Sequence, residues 1–308
     1  MSKEIKNLDL MIIGGGPAGL TASIYASRAK ISMILIEDAI LGGQVRNSYS
    51  IENYPGFKNI EGDKLASLMQ EQAEEQGAII DEFDYIERVK LSNLEKEIET
   101  SNYIYKVKAL IISTGATPRK LPIPSEEKFL GRGVHYCAIC DGAMYTDKIV
   151  AVVGGGNSAL EEANFLTKFA KKVIMIRRHE YFNGEASLIK EVEDNSKIEI
   201  MYNFDLIDVY GDTFIEGAKI INTKTNEKSD LKIDGVFGYI GTEPKTKLFK
   251  DFIKLNKQGY IITDENMQTN IKGVYAAGDV REKEFRQITT AVADGTIAAL
   301  HLEKYINK

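Results

Sequence analysis

Short apolar runs alternate with amphipathic segments along the first part of the chain. Residues 10–13 are all apolar, a glycine-rich stretch follows, and apolar side chains then recur from Ala22 to Ala26. A second, mostly apolar run extends from Ser32 to Ile36 and is followed by Glu37. This pattern predicts a strand, a turn, a helix and a second strand.

The same order of elements recurs in the second half of the chain. Residues 149–153 form an apolar run, apolar side chains between 163 and 170 follow helical spacing, and a further apolar run spans 173–176. The segments that start at Ala109 and at Gly235 are also alike, because each is an apolar strand that ends in a glycine turn. The chain therefore contains two related α/β units.

Both turns carry the glycine spacing of a dinucleotide-binding loop. The spacing falls on Gly14, Gly16 and Gly19 in the first unit and on Gly154, Gly156 and Ala159 in the second. In such a loop the first glycine allows the tight turn, the second admits the pyrophosphate, and the third brings helix and strand together. Glu37 then follows at the position from which a carboxylate accepts hydrogen bonds from a ribose. The combination predicts a nucleotide site in each unit.

Composition narrows the class of protein. The chain has 308 residues, 44% of them hydrophobic and 27% charged, which is typical of a globular protein of two ordinary domains. No apolar run is long enough to span a membrane, and the N-terminus shows no signal peptide, so we expect a cytoplasmic protein with no membrane partner. The net charge of −6 argues against nucleic-acid binding.

The chain's two cysteines stand in one motif, Cys137 to Cys140, which is followed directly by Asp141. A C-x-x-C pair in a protein without secretory features is typical of a redox-active dithiol. Structural zinc needs four ligands, and His135 is the only histidine nearby, so no metal site is predicted. A pair of inert buried thiols remains open, although core packing gives no reason for this spacing.

The motifs together resemble those of the low-molecular-weight thioredoxin reductases, almost from end to end. They are Gly14–Leu20, Gly42–Gln44, Glu52–Gly56, Ser113–Ala116, Cys137–Gly142, Gly154–Ala159, Ala277–Val280 and Arg286–Gln287. The resemblance implies an α/β fold of two Rossmann-like, three-layer nucleotide-binding domains, with the second inserted into the first. The FAD-binding domain would comprise residues 1–116 and 243–308, and the inserted domain residues 117–242.

The resemblance also implies which residues bind FAD and which exchange disulfides. The FAD-binding residues would be Gly14, Gly16, Pro17, Ala18, Gly19, Glu37, Gly42, Gly43, Gln44, Asn53, Thr114, Gly115, Gly278, Asp279, Arg286 and Gln287. Cys140 would lie nearer the flavin, Cys137 would attack the disulfide of thioredoxin, and Asp141 would act as general acid or base. The family further implies a homodimer.

The chain departs from the family at the residues that read the 2′-phosphate of NADPH. Where the family has His-Arg-Arg-x-x-x-Arg, this sequence keeps Arg178 but has Arg177, His179 and Asn183 at the other positions. A second nucleotide site would comprise Gly154, Gly156, Asn157, Ser158, Arg177 and Arg178. Two lost arginines argue against NADPH, although Arg177 offers partial compensation.

Three electron donors therefore stay open. A minority branch of similar proteins takes electrons from reduced ferredoxin, and the altered motif favours that donor over NADPH and NADH. A flavin-based redox sensor or binding protein is a further alternative to an enzyme. The cysteine pair with its adjacent aspartate favours catalysis.

Overall fold

The computed structural model describes residues 3–48 and 51–307. The strands are β1 (Glu4–Ile13), β2 (Met33–Glu37), β3 (Ile80–Glu82), β4 (Ile86–Leu91), β5 (Lys96–Thr100), β6 (Tyr103–Ile112), β7 (Ala116–Pro118), β8 (Val134–His135), β9 (Ile149–Gly154), β10 (Lys172–Arg177), β11 (Ile198–Tyr202), β12 (Phe204–Gly211), β13 (Ile215–Asn222), β14 (Lys228–Leu231), β15 (Gly235–Tyr239), β16 (Thr242–Pro244) and β17 (Val274–Ala276). The α-helices are α1 (Pro17–Arg28), α2 (Gly62–Glu75), α3 (Glu126–Phe129), α4 (Ala138–Asp141), α5 (Asn157–Leu166), α6 (Ala186–Glu193) and α7 (Ile288–Ile306). Three 3₁₀ helices span Gly43–Asn47, Gly142–Tyr145 and Gly278–Val280.

The chain divides into two compact units. The first comprises Met1–Arg46, Tyr54–Thr117 and Glu243–Lys308, and the second comprises Asn47–Asn53 and Pro118–Thr242. The boundaries at Thr117 and Thr242 fall inside β7 and β16, which pair with each other in a two-stranded sheet. The main segment of the second unit, Pro118–Thr242, is thus an insertion in the sequence of the first.

The first unit is built on a seven-stranded sheet in the order β3-β2-β1-β6-β5-β4, with β17 also paired to β6. Strands β1, β2, β3, β6 and β17 run parallel, whereas β4, β5 and β6 form an antiparallel meander. Alternation along β1 places Met11 and Ile13 in an apolar cluster with Phe249 and Ile261. Helices α1, α2 and α7 pack together, with α1 and α7 also contacting the sheet.

The second unit has three layers. Its central parallel sheet has the order β11-β10-β9-β15-β8. Val150 and Val152 of β9 pack with the apolar side chains of α5. Ala151 and Val153 point the other way and pack with the antiparallel sheet β12-β13-β14. The parallel sheets and the repeated strand–loop–helix unit confirm the predicted α/β fold of two Rossmann-like domains, the second inserted into the first.

No helix within the described ranges is both long and apolar enough to cross a membrane.

Candidate active site

The two cysteines form a disulfide at the start of the short helix α4. Their Cα atoms are 5.3 Å apart, and the Cys140 backbone N–H donates a hydrogen bond of 3.2 Å to Cys137 Sγ. Both cysteines are half-buried, and Ile139 between them is exposed. The disulfide is therefore open to thiol exchange on one side and supported by the protein on the other.

The buried side of this helix is anchored to the parallel sheet. Ala138 is fully buried, and its backbone N–H donates a 2.7 Å hydrogen bond to the hydroxyl oxygen of Tyr239 at the end of β15. Burial is the main cause that raises the pKa of Tyr239 well above its ordinary value, so this hydroxyl stays protonated. The anchor fixes the helix that carries the cysteine pair.

Asp141 lies at the end of the same helix. It is 8% exposed, its backbone N–H donates to the Cys137 carbonyl at 3.1 Å, and its Oδ2 lies 3.1 Å from Nδ1 of His135. The structure thus brings Cys137, Cys140 and Asp141 together on one turn of helix. A buried carboxyl group beside a disulfide is suited to hold and release a proton during exchange.

The glycines of the first loop serve three different structural purposes. Gly14 has a φ of +103°, and a Cβ there would lie 2.4 Å from the Ser113 carbonyl oxygen. A Cβ on Gly19 would lie 1.9 Å from the Gly14 carbonyl oxygen. A Cβ on Gly16 would meet nothing within 4 Å. Gly14 and Gly19 are therefore required by the fold, whereas Gly16 leaves an open cradle at the start of α1.

Glu37 fastens this loop at the end of β2. Its Oε2 accepts a 2.7 Å hydrogen bond from the Gly15 N–H, and its Oε1 accepts one of 3.2 Å from Ala39. Burial, followed by the hydrogen bond with Asp38, raises the pKa of the Glu37 carboxyl. A cavity of about 290 Å³ lies alongside, lined by Ile13, Gly14, Ile36, Glu37, Asp38, Asp84, Tyr85, Ile86, Thr114, Lys245, Lys247, Leu248 and Phe249.

Several predicted FAD-binding residues converge on the same loop. The Gly42 N–H donates to the Gly15 carbonyl at 2.8 Å, and a Cβ on Gly43 would lie 3.3 Å from the Cα of Gly16. A Cβ on Gly278 would lie 2.9 Å from that of Ala18, one residue after Pro17 at the start of α1. Three separate segments thus approach the first turn of α1.

The remaining predicted residues of the first unit lie on loops and helix starts. The Thr114 hydroxyl donates to the Lys245 carbonyl at 2.8 Å, and the Gly115 carbonyl accepts from the Lys245 N–H at 3.0 Å. Gln44 lies in the 3₁₀ helix Gly43–Asn47, and Gln287 caps α7. Asn53 groups with the second unit.

Within the described ranges, two buried polar atoms lack hydrogen-bond partners that a ligand at this site would supply. Among the described residues, Asp279 Oδ1 and Arg286 Nε are buried without a hydrogen-bond partner. Burial is the main cause that raises the pKa of Asp279, and the Arg286 guanidinium lies 4.2 Å from the ring centroid of Tyr260. Unpaired buried groups are costly. Together with the open cradle at Gly16 and the adjacent cavity, they fit a dinucleotide cofactor such as FAD.

The second glycine loop repeats the first. Gly154 has a φ of +158°, a Cβ there would lie 2.5 Å from the Tyr239 carbonyl oxygen, and a Cβ on Gly156 would meet nothing within 4 Å. Ser158 is exposed. The side-chain amide of Asn157, in contrast, makes two hydrogen bonds with Glu185: its Nδ2 donates to Glu185 Oε1 at 3.0 Å, and its Oδ1 accepts from the Glu185 backbone N–H at 2.8 Å. The loop keeps its nucleotide-binding shape, while one of its polar side chains is used internally.

Arg177 points inward rather than toward solvent. It is 8% exposed, its Nε donates to the Tyr181 carbonyl at 2.9 Å, and its Nη2 donates to Asn183 Oδ1 at 3.0 Å. A Cβ on Gly155 would lie 2.5 Å from Arg177 Nε, so the guanidinium lies against the glycine loop. Burial lowers the pKa of Arg177. This placement argues against Arg177 as a replacement for the missing phosphate-binding arginines.

Only one cation of the altered motif faces outward. Arg178 is exposed, and within the described ranges its side chain has no hydrogen bond or ion pair. His179 stacks on Tyr181 with ring centroids 5.9 Å apart. The structure therefore leaves a single free guanidinium at the position where the sequence led us to expect two.

Tyr145 and Tyr239 were not predicted from the sequence, and His135 was weighed only as a zinc ligand. All three contact the α4 region, but tyrosines on a strand end or a 3₁₀ helix have no distinguishing sequence signal. The position of His135, two residues before Cys137, was the one available hint. In the part of the chain that the structure describes, no cluster of three or more His, Cys, Asp or Glu side chains is arranged to hold a metal ion.

Comparisons with known proteins agree with this geometry. A family model described as pyridine nucleotide-disulphide oxidoreductase matches residues 8–295. A protein from Clostridium pasteurianum, named as a 34.2 kDa protein in the rubredoxin operon, is 55% identical over 99% of both chains. The thioredoxin reductase of Bacillus subtilis is 42% identical, over 100% of this chain and 97% of the relative.

Solved structures of similar proteins cover almost the whole chain. A thioredoxin reductase from Streptococcus pyogenes has a TM-score of 0.93 at 40% identity, covering 99% of both chains. A ferredoxin-flavin thioredoxin reductase from Clostridium acetobutylicum has a TM-score of 0.53 at 32% identity, covering 98% of both chains. The chain therefore belongs to the pyridine nucleotide-disulphide oxidoreductase family and, within it, to the low-molecular-weight thioredoxin reductases.

Proposed function

We propose that this protein is an FAD-dependent thioredoxin reductase that passes two electrons through the Cys137–Cys140 disulfide to the disulfide of thioredoxin. The observation that carries the proposal is the half-buried disulfide on α4 with the buried carboxyl group of Asp141 on the same turn. Family membership implies the flavin. Relatives over the full length are named thioredoxin reductases.

The residues of the first unit would hold the FAD. Gly16 leaves open space at the start of α1, and the N-terminus of a helix of this length favours phosphate. Asp279 and Arg286 supply two buried polar atoms that have no hydrogen-bond partner among the described residues, with Lys283 Nζ 3.8 Å from Asp279 Oδ1. When bound, FAD supplies the electron pair that opens the disulfide.

The chemistry at the cysteines is thiol–disulfide exchange. After the S–S bond opens, Cys137 as a thiolate attacks one sulfur of the thioredoxin disulfide, and the other sulfur leaves as a thiolate. The N–H of Cys140, which contacts Cys137 Sγ at 3.2 Å, favours the charged sulfur. Cys140 then attacks Cys137 Sγ, which restores the internal disulfide and releases reduced thioredoxin. Asp141 transfers the protons that these steps require.

For the electron donor we propose reduced ferredoxin rather than NADPH. Arg177 is held by Tyr181 and Asn183, so Arg178 is left as the one outward cation of the altered motif. Each lost charge-assisted hydrogen bond weakens binding by roughly 1.5–3 kcal/mol. A structural relative is named a ferredoxin-flavin thioredoxin reductase, and another relative is named for a rubredoxin operon.

NADPH is the second candidate donor, because one observation favours it. A side chain on Gly156 would meet nothing within 4 Å, so the second loop still offers an open cradle at the start of α5. A nucleotide pyrophosphate fits such a cradle.

The test supplies each donor separately to the FAD-loaded protein with oxidised thioredoxin under anaerobic conditions. NADPH, NADH, reduced ferredoxin and reduced rubredoxin are compared, and the thiols formed on thioredoxin are counted. We expect turnover with reduced ferredoxin and little with NADPH. Fast turnover at micromolar NADPH would overturn the donor proposal, and failure with every donor would overturn the proposed enzyme.

Two variants sharpen the choice of donor. Gly156→Val fills the second cradle, so it should block any NADPH-dependent turnover and leave ferredoxin-dependent turnover unchanged. His179→Arg adds an outward cation beside Arg178 without disturbing the contacts of Arg177 and should strengthen NADPH binding. Asn183→Arg is unsuitable, because Asn183 Oδ1 accepts from the Arg177 guanidinium.

The proposal also includes a homodimer, as the family resemblance implies, and a cytoplasmic location. Sedimentation of the FAD-loaded protein gives its mass directly, and a monomeric mass at micromolar concentration would contradict the dimer.

A further inference from the structure

A buried chain of polar contacts lies beside α4, the helix that carries the cysteine pair. The side chain of His135, at the end of β8, is 2% exposed. Its Nδ1 lies 3.1 Å from Asp141 Oδ2, and its Nε2 lies 2.7 Å from the hydroxyl oxygen of Tyr145. Both ring nitrogens are therefore engaged by groups that exchange protons.

Aromatic neighbours fix the orientation of the imidazole. The ring of Phe237 stacks on that of His135 with centroids 5.2 Å apart and an interplanar angle of 27°. The ring of Tyr145 meets it edge-on, with centroids 5.4 Å apart at 76°. Phe237 is fully buried and Tyr145 is 4% exposed. This packing fixes the plane of the imidazole.

The chain can hold one additional proton with its contacts intact. With a neutral imidazole protonated on Nδ1, the N–H faces the Asp141 carboxylate and the Tyr145 hydroxyl donates to Nε2. With a protonated imidazole, both nitrogens are donors and the same hydroxyl accepts, because a hydroxyl can do either. The protonated ring and the carboxylate together carry no net charge.

Charged groups also lie around the chain. Asp234 acts on Tyr145 together with Asp141, and Glu162 acts on the neighbouring Tyr239. Lys148 is a nearby cation, with its Nζ 5.5 Å from the Tyr145 ring centroid.

We infer that His135 is a positioning residue that stores and returns the proton which Asp141 transfers during thiol–disulfide exchange. The inference rests on the proposed function. When Cys137 attacks, the sulfur leaving thioredoxin takes a proton from Asp141, and the His135–Asp141 pair is left one proton short. The Cys140 thiol then gives its proton to the pair and attacks Cys137 Sγ. The second thioredoxin sulfur takes that proton, so both electrons and both protons reach thioredoxin.

The test compares His135→Phe with His135→Asn. Phenylalanine keeps the ring between its aromatic neighbours but removes both polar contacts, whereas the asparagine amide keeps a donor near the position of Nδ1 but cannot titrate. His301→Phe, in α7, is the matched control for loss of a histidine. FAD-loaded proteins are reduced anaerobically with dithiothreitol, desalted, and mixed with oxidised thioredoxin in a single turnover between pH 5.5 and 8.5.

In the wild-type protein and in His301→Phe, we expect the single-turnover rate to show an inflection in this pH range. His135→Phe should lower the rate about tenfold near neutral pH and move the inflection, to which the Cys137 thiolate also contributes. His135→Asn should stay slow as well, because asparagine keeps a donor but stores no proton. A His135→Phe variant with the wild-type rate and pH profile would show that the histidine only fills space.

A second readout needs neither thioredoxin nor an electron donor. The rate at which iodoacetamide alkylates the reduced protein reports the thiolate fraction. In His135→Phe the alkylation midpoint should rise by roughly one pH unit, because an uncompensated carboxylate disfavours the thiolate. His135→Asn should show a similar rise, because a neutral amide does not compensate the carboxylate, and an unchanged midpoint in His135→Phe would overturn the inference.

The two readouts separate failure of the inference from failure of the proposed function. A wild-type protein that reduces no thioredoxin while its alkylation midpoint still depends on His135 would refute the proposed function alone.

Where His135→Phe does not fold, Tyr145→Phe replaces it, because that change removes one hydroxyl. It should move the inflection, and an unmoved inflection in that variant counts against the inference.

Discussion

Replacement of Gly16 by valine should release the flavin while leaving the protein folded. Gly16 is the N-cap of α1 with φ −75° and ψ −176°, a conformation that any residue adopts, and a Cβ there meets nothing within 4 Å. The added methyl groups therefore project into the cradle instead of into the protein. Gly19→Ala should instead destabilise the folded protein, because its Cβ would lie 1.9 Å from the Gly14 carbonyl oxygen.

The expected loss follows from the contacts that the cradle provides. If the valine displaces the phosphates from two backbone N–H groups, the loss of two charge-assisted hydrogen bonds is worth about 3–6 kcal/mol. This corresponds to a dissociation constant for FAD raised by roughly 10²- to 10⁴-fold. Loss of the glycine N-cap should change the stability of the flavin-free protein by no more than about 1 kcal/mol.

The assay measures flavin affinity and stability separately. FAD is titrated into flavin-stripped protein and followed by calorimetry, and urea unfolding of the stripped protein gives its stability. Gly156→Val is the matched control, since Gly156 has a similar conformation, φ −93° and ψ −178°, and the same open surroundings in the second unit. Wild-type FAD affinity in Gly16→Val, or an equal loss in Gly156→Val, would refute the reasoning.

Three further outcomes are expected. Cys137→Ser and Cys140→Ser should each abolish thioredoxin reduction while FAD absorbance is retained, and turnover by either variant would exclude a dithiol cycle. Burial raises the pKa of Glu162 from 4.5 to about 7, so the folded state binds the extra proton and stability falls as the pH rises between these values. The free energy of unfolding, measured in urea, should differ by roughly 3 kcal/mol between pH 4.5 and pH 7.5, and Glu162→Gln should remove this difference. The same pH dependence of stability in both proteins would contradict this. Arg177→Leu should destabilise the second unit, because Asn183 and the Tyr181 carbonyl lose their donor, and an unchanged thermal midpoint would show that these contacts contribute nothing.

The sequence made the repeated part of the fold predictable, because glycine spacing and apolar period act over short distances. Gly14 and Gly154 were identified from neighbours a few residues away, and the structure shows the close backbone approach that each permits. The antiparallel sheet β12-β13-β14 on one face of the second unit was not foreseen, since its pairing depends on contacts between distant segments.

The candidate site was predictable only in part, for the same reason. Cys137, Cys140 and Asp141 are adjacent in sequence, so their association needed no knowledge of the fold. Arg177 points inward because the Tyr181 carbonyl and the Asn183 side-chain amide, both in the following loop, accept hydrogen bonds from it. A basic residue at the end of a strand does not show in the sequence which way its side chain will point. The contact of His135 with Tyr145 requires β8 and the 3₁₀ helix Gly142–Tyr145 to meet.

The paired strands β7 and β16 have a consequence for how such a chain can be assembled from genes. The segment Pro118–Thr242 of the second unit begins and ends within these two strands, so the two ends of its coding segment correspond to neighbouring points in space. A segment of this kind can be excised with one short join or exchanged with two, and the flanking segments still complete a single domain. Recombination between related genes can therefore replace the disulfide-bearing module in one event, with the flavin-type module inherited unchanged.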